Sequence, residues 1–90
     1  VVEADCVMTD IWISMGAISS HKDKSVFEDF QINDRLMSKT KNKSLFMHCL
    51  PAHRNEEVTD SVIDGEKSIV WQQAKNRMVV QQSILNFCIA

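Results

Sequence analysis

Cysteine is scarce in this chain, and Cys6, Cys49 and Cys88 form an odd, widely spaced set. That excludes a disulfide scaffold and favours a reducing compartment. No basic cluster is present, and 10 Lys and Arg against 12 Asp and Glu leave a net charge of -2. Binding to nucleic acid or to an anionic membrane through bulk charge is therefore not expected. The longest apolar runs are a few residues, too short for a transmembrane helix. There is no basic-then-apolar leader, no internal repeat and no low-complexity segment. The chain opens at Val1 rather than Met, on an apolar-acidic stretch with no cap or turn before it. A segment of a longer polypeptide is expected to start that way.

What is present is ordinary for a globular protein: 44% hydrophobic and 24% charged residues in a chain of 90. That length holds at most one domain with a modest core. The run from Ala4 to Thr9 reads as a buried strand ending at Asp10, followed by a loop or strand extension to Gly16. Ser19 or Ser20 can cap a helix from His21 to Phe30, with Val26, Phe27 and Phe30 on its apolar face. Asn33 can cap a second helix, Asp34 to about Thr40, with Leu36 and Met37 inward. Lys39 to Lys43 reads as a solvated turn. A second strand is expected over Ser44 to His48, stopped by Pro51, with a polar loop from Ala52 to Glu57. Thr59 or Asp60 then caps a short helix through Ile63, ended by Gly65. Ser68 to Trp71 reads as a third strand. A final helix follows from Gln72 to about Ile89, with Ala74, Met78, Gln81, Leu85 and Cys88 at helical spacing. Strands alternating with helices predict an α/β fold, a three-layer arrangement of a parallel sheet with helices on its faces.

In open parallel sheets, ligands bind beyond the carboxyl ends of the strands. Three polar groupings fall there: Asp10 to Met15 after the first strand, His48 to Arg54 after the second, and Arg77 in the helix after the third. Each has an ordinary structural reading. Asp10 alone suits a turn, Trp12 suits packing, and Cys49 between Met47 and Leu50 suits a small buried hydrophobe. Arg77 on a helix suits a surface ion pair, and His53, Arg54, Glu56 and Glu57 suit a solvated charged loop. The set His48, Cys49 and His53 raises zinc only weakly. A strand sends His48 and Cys49 to opposite faces, and no second cysteine pair lies nearby.

Taken together the motifs say more. His48-Cys49-Leu50-Pro51-Ala52-His53-Arg54, followed by Glu56-Glu57-Val58, resembles the H-C-L-P signature loop of ornithine carbamoyltransferases. Thr9 to Gly16 (T-D-I-W-I-S-M-G) is similar to that family's D-x-W-x-S-M-G ornithine loop. Ala74-Lys75-Asn76-Arg77 resembles its closing E-N-R motif, and Val62 to Gly65 and Ser68 to Val70 are also similar. The three motifs come in the family's order, and the resemblance covers essentially the whole chain.

The resemblance implies a partial Rossmann-like ornithine-binding domain, with residues 1–90 as its C-terminal part and the carbamoyl-phosphate domain absent. The reaction it implies moves a carbamoyl group from carbamoyl phosphate to the side-chain amine of L-ornithine, giving L-citrulline and phosphate in arginine metabolism. It implies no redox or organic cofactor and no metal. By the same resemblance Asp10 engages the amines of ornithine, and Ser14 and Met15 grip its amino-acid end. Cys49 is the catalytic cysteine beside the reacting amine, where it helps the nitrogen lose its proton. A nearby arginine is expected to lower the pKa of that thiol. Leu50 offers its carbonyl to the carbamoyl NH2, and Arg77 contacts carbamoyl phosphate. A cytoplasmic location is implied, or the mitochondrial matrix in a eukaryote, with a homotrimer for the full enzyme.

Aspartate carbamoyltransferases have proline where this chain has Cys49. Putrescine carbamoyltransferases share the H-C-L-P loop but lack the Ser14-Met15-Gly16 grip, so ornithine fits better. Three departures stand out. Lys75 takes the place of glutamate beside Arg77. Asn55 takes the place of a loop glycine, and asparagine tolerates positive φ better than most residues. Ala17 to Lys24 lacks the usual acidic run. Lys75 and the altered Ala17 to Lys24 loop support an alternative, a non-catalytic amino-acid-binding or interaction module from a truncated paralogue. The remaining reading is an unrelated α/β domain with coincidental motifs. No S-T-R-T-type phosphate loop is present, so the chain alone is expected to be inactive.

Overall fold

A computed structural model describes residues 1–13 and 24–90. Its centre is a pair of parallel strands, β1 (Cys6–Thr9) and β2 (Leu45–His48). Both lie within the runs expected from the apolar pattern. Their register pairs Cys6 with Leu45 and Thr9 with His48. The next pair along that register is Asp10 and Cys49. Paired positions on neighbouring strands lie about 4.8 Å apart, so the register by itself brings these two residues side by side at the carboxyl edge.

The third strand expected over Ser68–Trp71 is reduced to one bridge, Ser68 against Phe46. Phe46 N–H donates to the Lys67 carbonyl at 2.7 Å, and Ile69 N–H donates to the Phe46 carbonyl at 3.0 Å. The chain then turns into α3 (Val70–Ile89), which begins two residues before the expected Gln72. Helix formation takes over because the Ile69 carbonyl accepts Gln73 N–H at 2.8 Å, an opening i→i+4 bond. The α/β class expected from the sequence is retained, with a sheet of two strands and a vestige of a third.

The connection from β1 to β2 carries a 3-10 helix over Lys24–Phe30 and then α1 (Asp34–Met37). The first differs from the α-helix expected over 21–30, whose start lies outside the described residues. Val26 and Phe30 are exposed, and Phe27 alone of the expected apolar face is half-buried. The Phe27 ring stacks on Trp12, with centroids 5.7 Å apart, so Trp12 has the packing role expected of it. Asn33 caps α1 as its position suggests, its Oδ1 accepting Leu36 N–H at 2.9 Å.

The core gathers Val7, Ile32, Met37, Phe46, Val58, Val62, Ile63 and Val70. Ile32 and Val58 form a bridge that ties the segment before α1 to the loop after β2. The short helix α2 (Asp60–Ile63) buries Val62 and Ile63 and runs into Gly65. A Cβ on Gly65 would sit 2.5 Å from the Ser61 carbonyl oxygen, so only glycine lets the chain leave α2 this tightly. Helix α3 is different, because only Val70 is buried along its length. Trp71, Met78, Val80, Ile84, Leu85 and Phe87 are exposed. None of the helically spaced set from Ala74 to Cys88 is therefore buried among the described residues.

Candidate active site

The carboxyl edge of the sheet brings together three of the residues singled out from sequence. Asp10 follows β1, Cys49 follows β2, and Arg77 projects from α3. The Asp10 carboxylate accepts Ile11 N–H at 2.7 Å and lies beside the Cys49 thiol. These contacts hold its carboxyl below the usual aspartate range, the Ile11 bond first and the thiol second. Cys49, Gln73, Ala74 and Arg77 line a cleft of about 380 Å³. No ion pair between described residues engages Arg77, so the surface ion pair that a helical arginine commonly makes is not what holds it.

The thiol corrects one expectation. Its neighbouring arginine was expected to lower the Cys49 pKa, and the net direction is upward. Partial burial of the sulfur is the largest cause, followed by the hydrogen bond to Asp10 and the repulsion of that carboxylate. Arg77 and a backbone hydrogen bond pull the other way and lose. The neutral thiol is thus favoured over the thiolate more than in a free cysteine, with the Asp10 carboxylate beside it.

Beneath this edge lies a second layer of polar contacts. His48 is 1% exposed and Glu57 is 0% exposed. The His48 Nε2 and Glu57 Oε1 atoms are 2.8 Å apart, and Leu50 N–H donates to His48 Nδ1 at 2.9 Å. Because a backbone N–H can only donate, Nδ1 must be the acceptor, which leaves Nε2 to carry the proton towards Glu57. His53 N–H donates to the same Glu57 oxygen at 2.8 Å. One buried carboxylate thus ties down both the strand-end histidine and the loop that follows Cys49. This corrects the solvated-loop reading of Glu57. Arg54 of that loop keeps its surface character and pairs with Asp60 and Asp64.

Leu50 adopts φ 53 and Asn55 φ 64, both left-handed. Asn55 suits such a position, since asparagine tolerates positive φ better than most residues. No hydrogen bond between described residues uses the Leu50 carbonyl, which leaves it available to a ligand NH2. Ser14 and Met15 lie outside the described residues.

The trio considered for zinc is divided, since His48 is buried against Glu57 while Cys49 is exposed beside Asp10. Side-chain donors of His53, Glu56 and Glu57 do lie within 4.8 Å of one another. The Oε1 of Glu57 is already committed there to His48 and His53 N–H.

Two functional contacts were not foreseen from sequence, the burial of Glu57 and a bond from His48 N–H to Gln73 Oε1 at 3.0 Å. The only sequence signal for the second is an amide side chain near the start of a helix that follows a strand.

Residues 1–88 match the family model described as "Aspartate/ornithine carbamoyltransferase, Asp/Orn binding domain". An ornithine carbamoyltransferase from Agrobacterium fabrum is 48% identical over 89 residues, which are 99% of this chain and 29% of that protein. One from Brucella abortus is 52% identical over 86 residues, 96% of this chain and 28% of that protein. The solved ornithine carbamoyltransferase from Pyrococcus furiosus superposes with a TM-score of 0.82 at 48% identity, covering 93% of this chain and 28% of that one. The chain thus spans under a third of the length of the curated relatives it matches.

Proposed function

Because the chain belongs to the aspartate/ornithine carbamoyltransferase family, we propose that it is the C-terminal part of the ornithine-binding domain of an ornithine carbamoyltransferase. The full-length enzyme transfers the carbamoyl group of carbamoyl phosphate to the side-chain amine of L-ornithine, giving L-citrulline and phosphate. The carbamoyl-phosphate domain is supplied by the rest of that polypeptide. The proposal includes a cytoplasmic location and a homotrimeric full-length enzyme, both resting on the family resemblance.

The observation that carries the reading is the β1–β2 register, which sets Asp10 beside Cys49 at the carboxyl edge, together with the cleft that Cys49 and Arg77 line. A carboxylate, a thiol and a guanidinium are the groups this reaction needs. Ornithine arrives with its side-chain amine as an ammonium, which is not nucleophilic. Asp10 pairs with that ammonium through a charge-assisted bond. The incoming cation offsets the Asp10 charge that holds the Cys49 pKa up, and it competes for the thiol's acceptor. The thiol then gives its proton to solvent, and the thiolate takes one from the ammonium. The thiol is restored, a neutral amine faces the carbamoyl carbon, and one proton has been released overall.

Leu50 presents its carbonyl to the carbamoyl NH2. Arg77 polarises the carbamoyl oxygen and stabilises the charge that develops there. Ser14 and Met15 hold the amino-acid end. His48 and Glu57 keep the loop that carries Cys49 and Leu50 in place.

The test is citrulline formation by full-length enzyme carrying Cys49→Ala or Asp10→Ala. Loss of a transition-state contact lowers the rate by about a hundredfold or more. Wild-type rates in both variants refute the assignments.

A further inference from the structure

Alternate residues of a parallel strand serve one neighbour with both N–H and carbonyl. On the side of β2 away from β1, Phe46 does this with Lys67 and Ile69. Carried two residues further, the same ladder gives His48 N–H to the Ile69 carbonyl. That carbonyl is occupied by Gln73 N–H at 2.8 Å. His48 N–H donates instead to the Gln73 side-chain oxygen at 3.0 Å. Gln73 thus takes the strand's acceptor with its main chain and replaces it with its amide.

We propose that Gln73 is a positioning residue that sets the spacing between the Cys49 thiol and the Arg77 guanidinium, an inference that rests on the carbamoyltransferase reading above. Its amide holds the residue immediately before Cys49. Arg77 stands four residues on along α3, one turn away on the same helical face. Cys49, Gln73, Ala74 and Arg77 line one cleft. Little else ties the helix to the sheet. Val70 is its one buried residue, and the Gln73 amide makes the only side-chain hydrogen bond joining α3 to the rest of the described residues. An amide suits the task because it accepts a hydrogen bond without placing a charge between thiol and guanidinium. The charges that reach the sulfur are Asp10, beyond β1, and Arg77, on α3. Loosening α3 weakens only the second.

The test uses the full-length enzyme with Gln73→Met, which keeps the length and removes the acceptor, and Gln73→Asn, which is too short to reach. Both are expected to lower kcat by about ten- to a hundredfold, the range for an ångström-scale misplacement of a reacting group. KM for ornithine is expected to stay within about threefold, because Asp10 is not moved. Alkylation of Cys49, followed on its own peptide by mass spectrometry, is expected to shift to higher pH as Arg77 draws back. In an Arg77→Met background the same Gln73 substitutions are expected to leave the alkylation profile unmoved. An unchanged kcat overturns the inference. So does a fall in kcat with an unmoved alkylation profile, or an equal shift in the Arg77→Met background. Arg77→Met alone with wild-type turnover counts instead against the carbamoyltransferase assignment, so the two failures are distinguishable.

Discussion

The Cys49 thiol stands beside the Asp10 carboxylate, and this contact pushes the two titrations apart, adding to burial in raising the thiol and to the Ile11 bond in lowering the carboxyl. Asp10 both holds the neutral thiol by a hydrogen bond and repels the thiolate. Asp10→Asn removes the charge, so the thiolate fraction at a given pH rises. The pH profile of Cys49 alkylation is expected to move to lower pH in Asp10→Asn, the direction opposite to that expected for Gln73→Met. An unmoved profile means the two groups do not communicate.

Glu57 is the acceptor for two donors, His48 Nε2–H and His53 N–H. Glu57→Ala leaves both buried or half-buried without a partner, at about 1–3 kcal/mol each. Glu57→Gln keeps an acceptor oxygen and is expected to cost less than Glu57→Ala. Denaturant unfolding of the two variants checks the order, and equal losses would mean that the volume of the side chain matters rather than its bonds.

The exposed apolar surface of α3 governs the ninety-residue chain on its own. Trp71, Met78, Val80, Ile84, Leu85 and Phe87 are all solvent-facing, and exposed apolar surface of this kind drives association. Sedimentation is expected to show concentration-dependent self-association of the isolated chain. No citrulline is expected from it at any concentration, because the proposed reading places the phosphate-binding groups in another domain. Citrulline from the purified chain refutes the division of the active site between two domains.

Arg54 bridges Asp60 and Asp64, and its guanidinium holds the Asp64 carboxyl below the usual range. A carboxyl whose folded pKa is lowered contributes stability that is fully present above its unfolded value. That contribution is lost as the pH falls through the lowered folded value. Asp64→Asn is therefore expected to destabilise the chain slightly at neutral pH and not at strongly acid pH. The pair is exposed, so concentrated salt should erase the difference. Thermal unfolding with and without salt at the two pH values checks this.

Much of the site was readable because it depends on strand ends. Asp10 and Cys49 each close an apolar run, and in a parallel pair such residues meet at one edge. The Asn33 cap and the left-handed Asn55 were readable for a similar reason, since both are preferences of single residues for a local backbone shape. The motif order placed Arg77 near the same edge.

What the neighbours along the chain settled were the two strands, the capped α1 and the choice of residues at the carboxyl edge. Tertiary structure alone settled the rest, because each remaining feature is a competition between groups far apart in sequence. Ile69 has one carbonyl for which a strand and a helix compete, and the helix wins when Gln73 satisfies His48 from the side. Glu57 is buried because His48 and His53 N–H both need an acceptor there. Cys49 is a raised thiol because burial and Asp10 together outweigh Arg77, a balance that only the folded arrangement can strike.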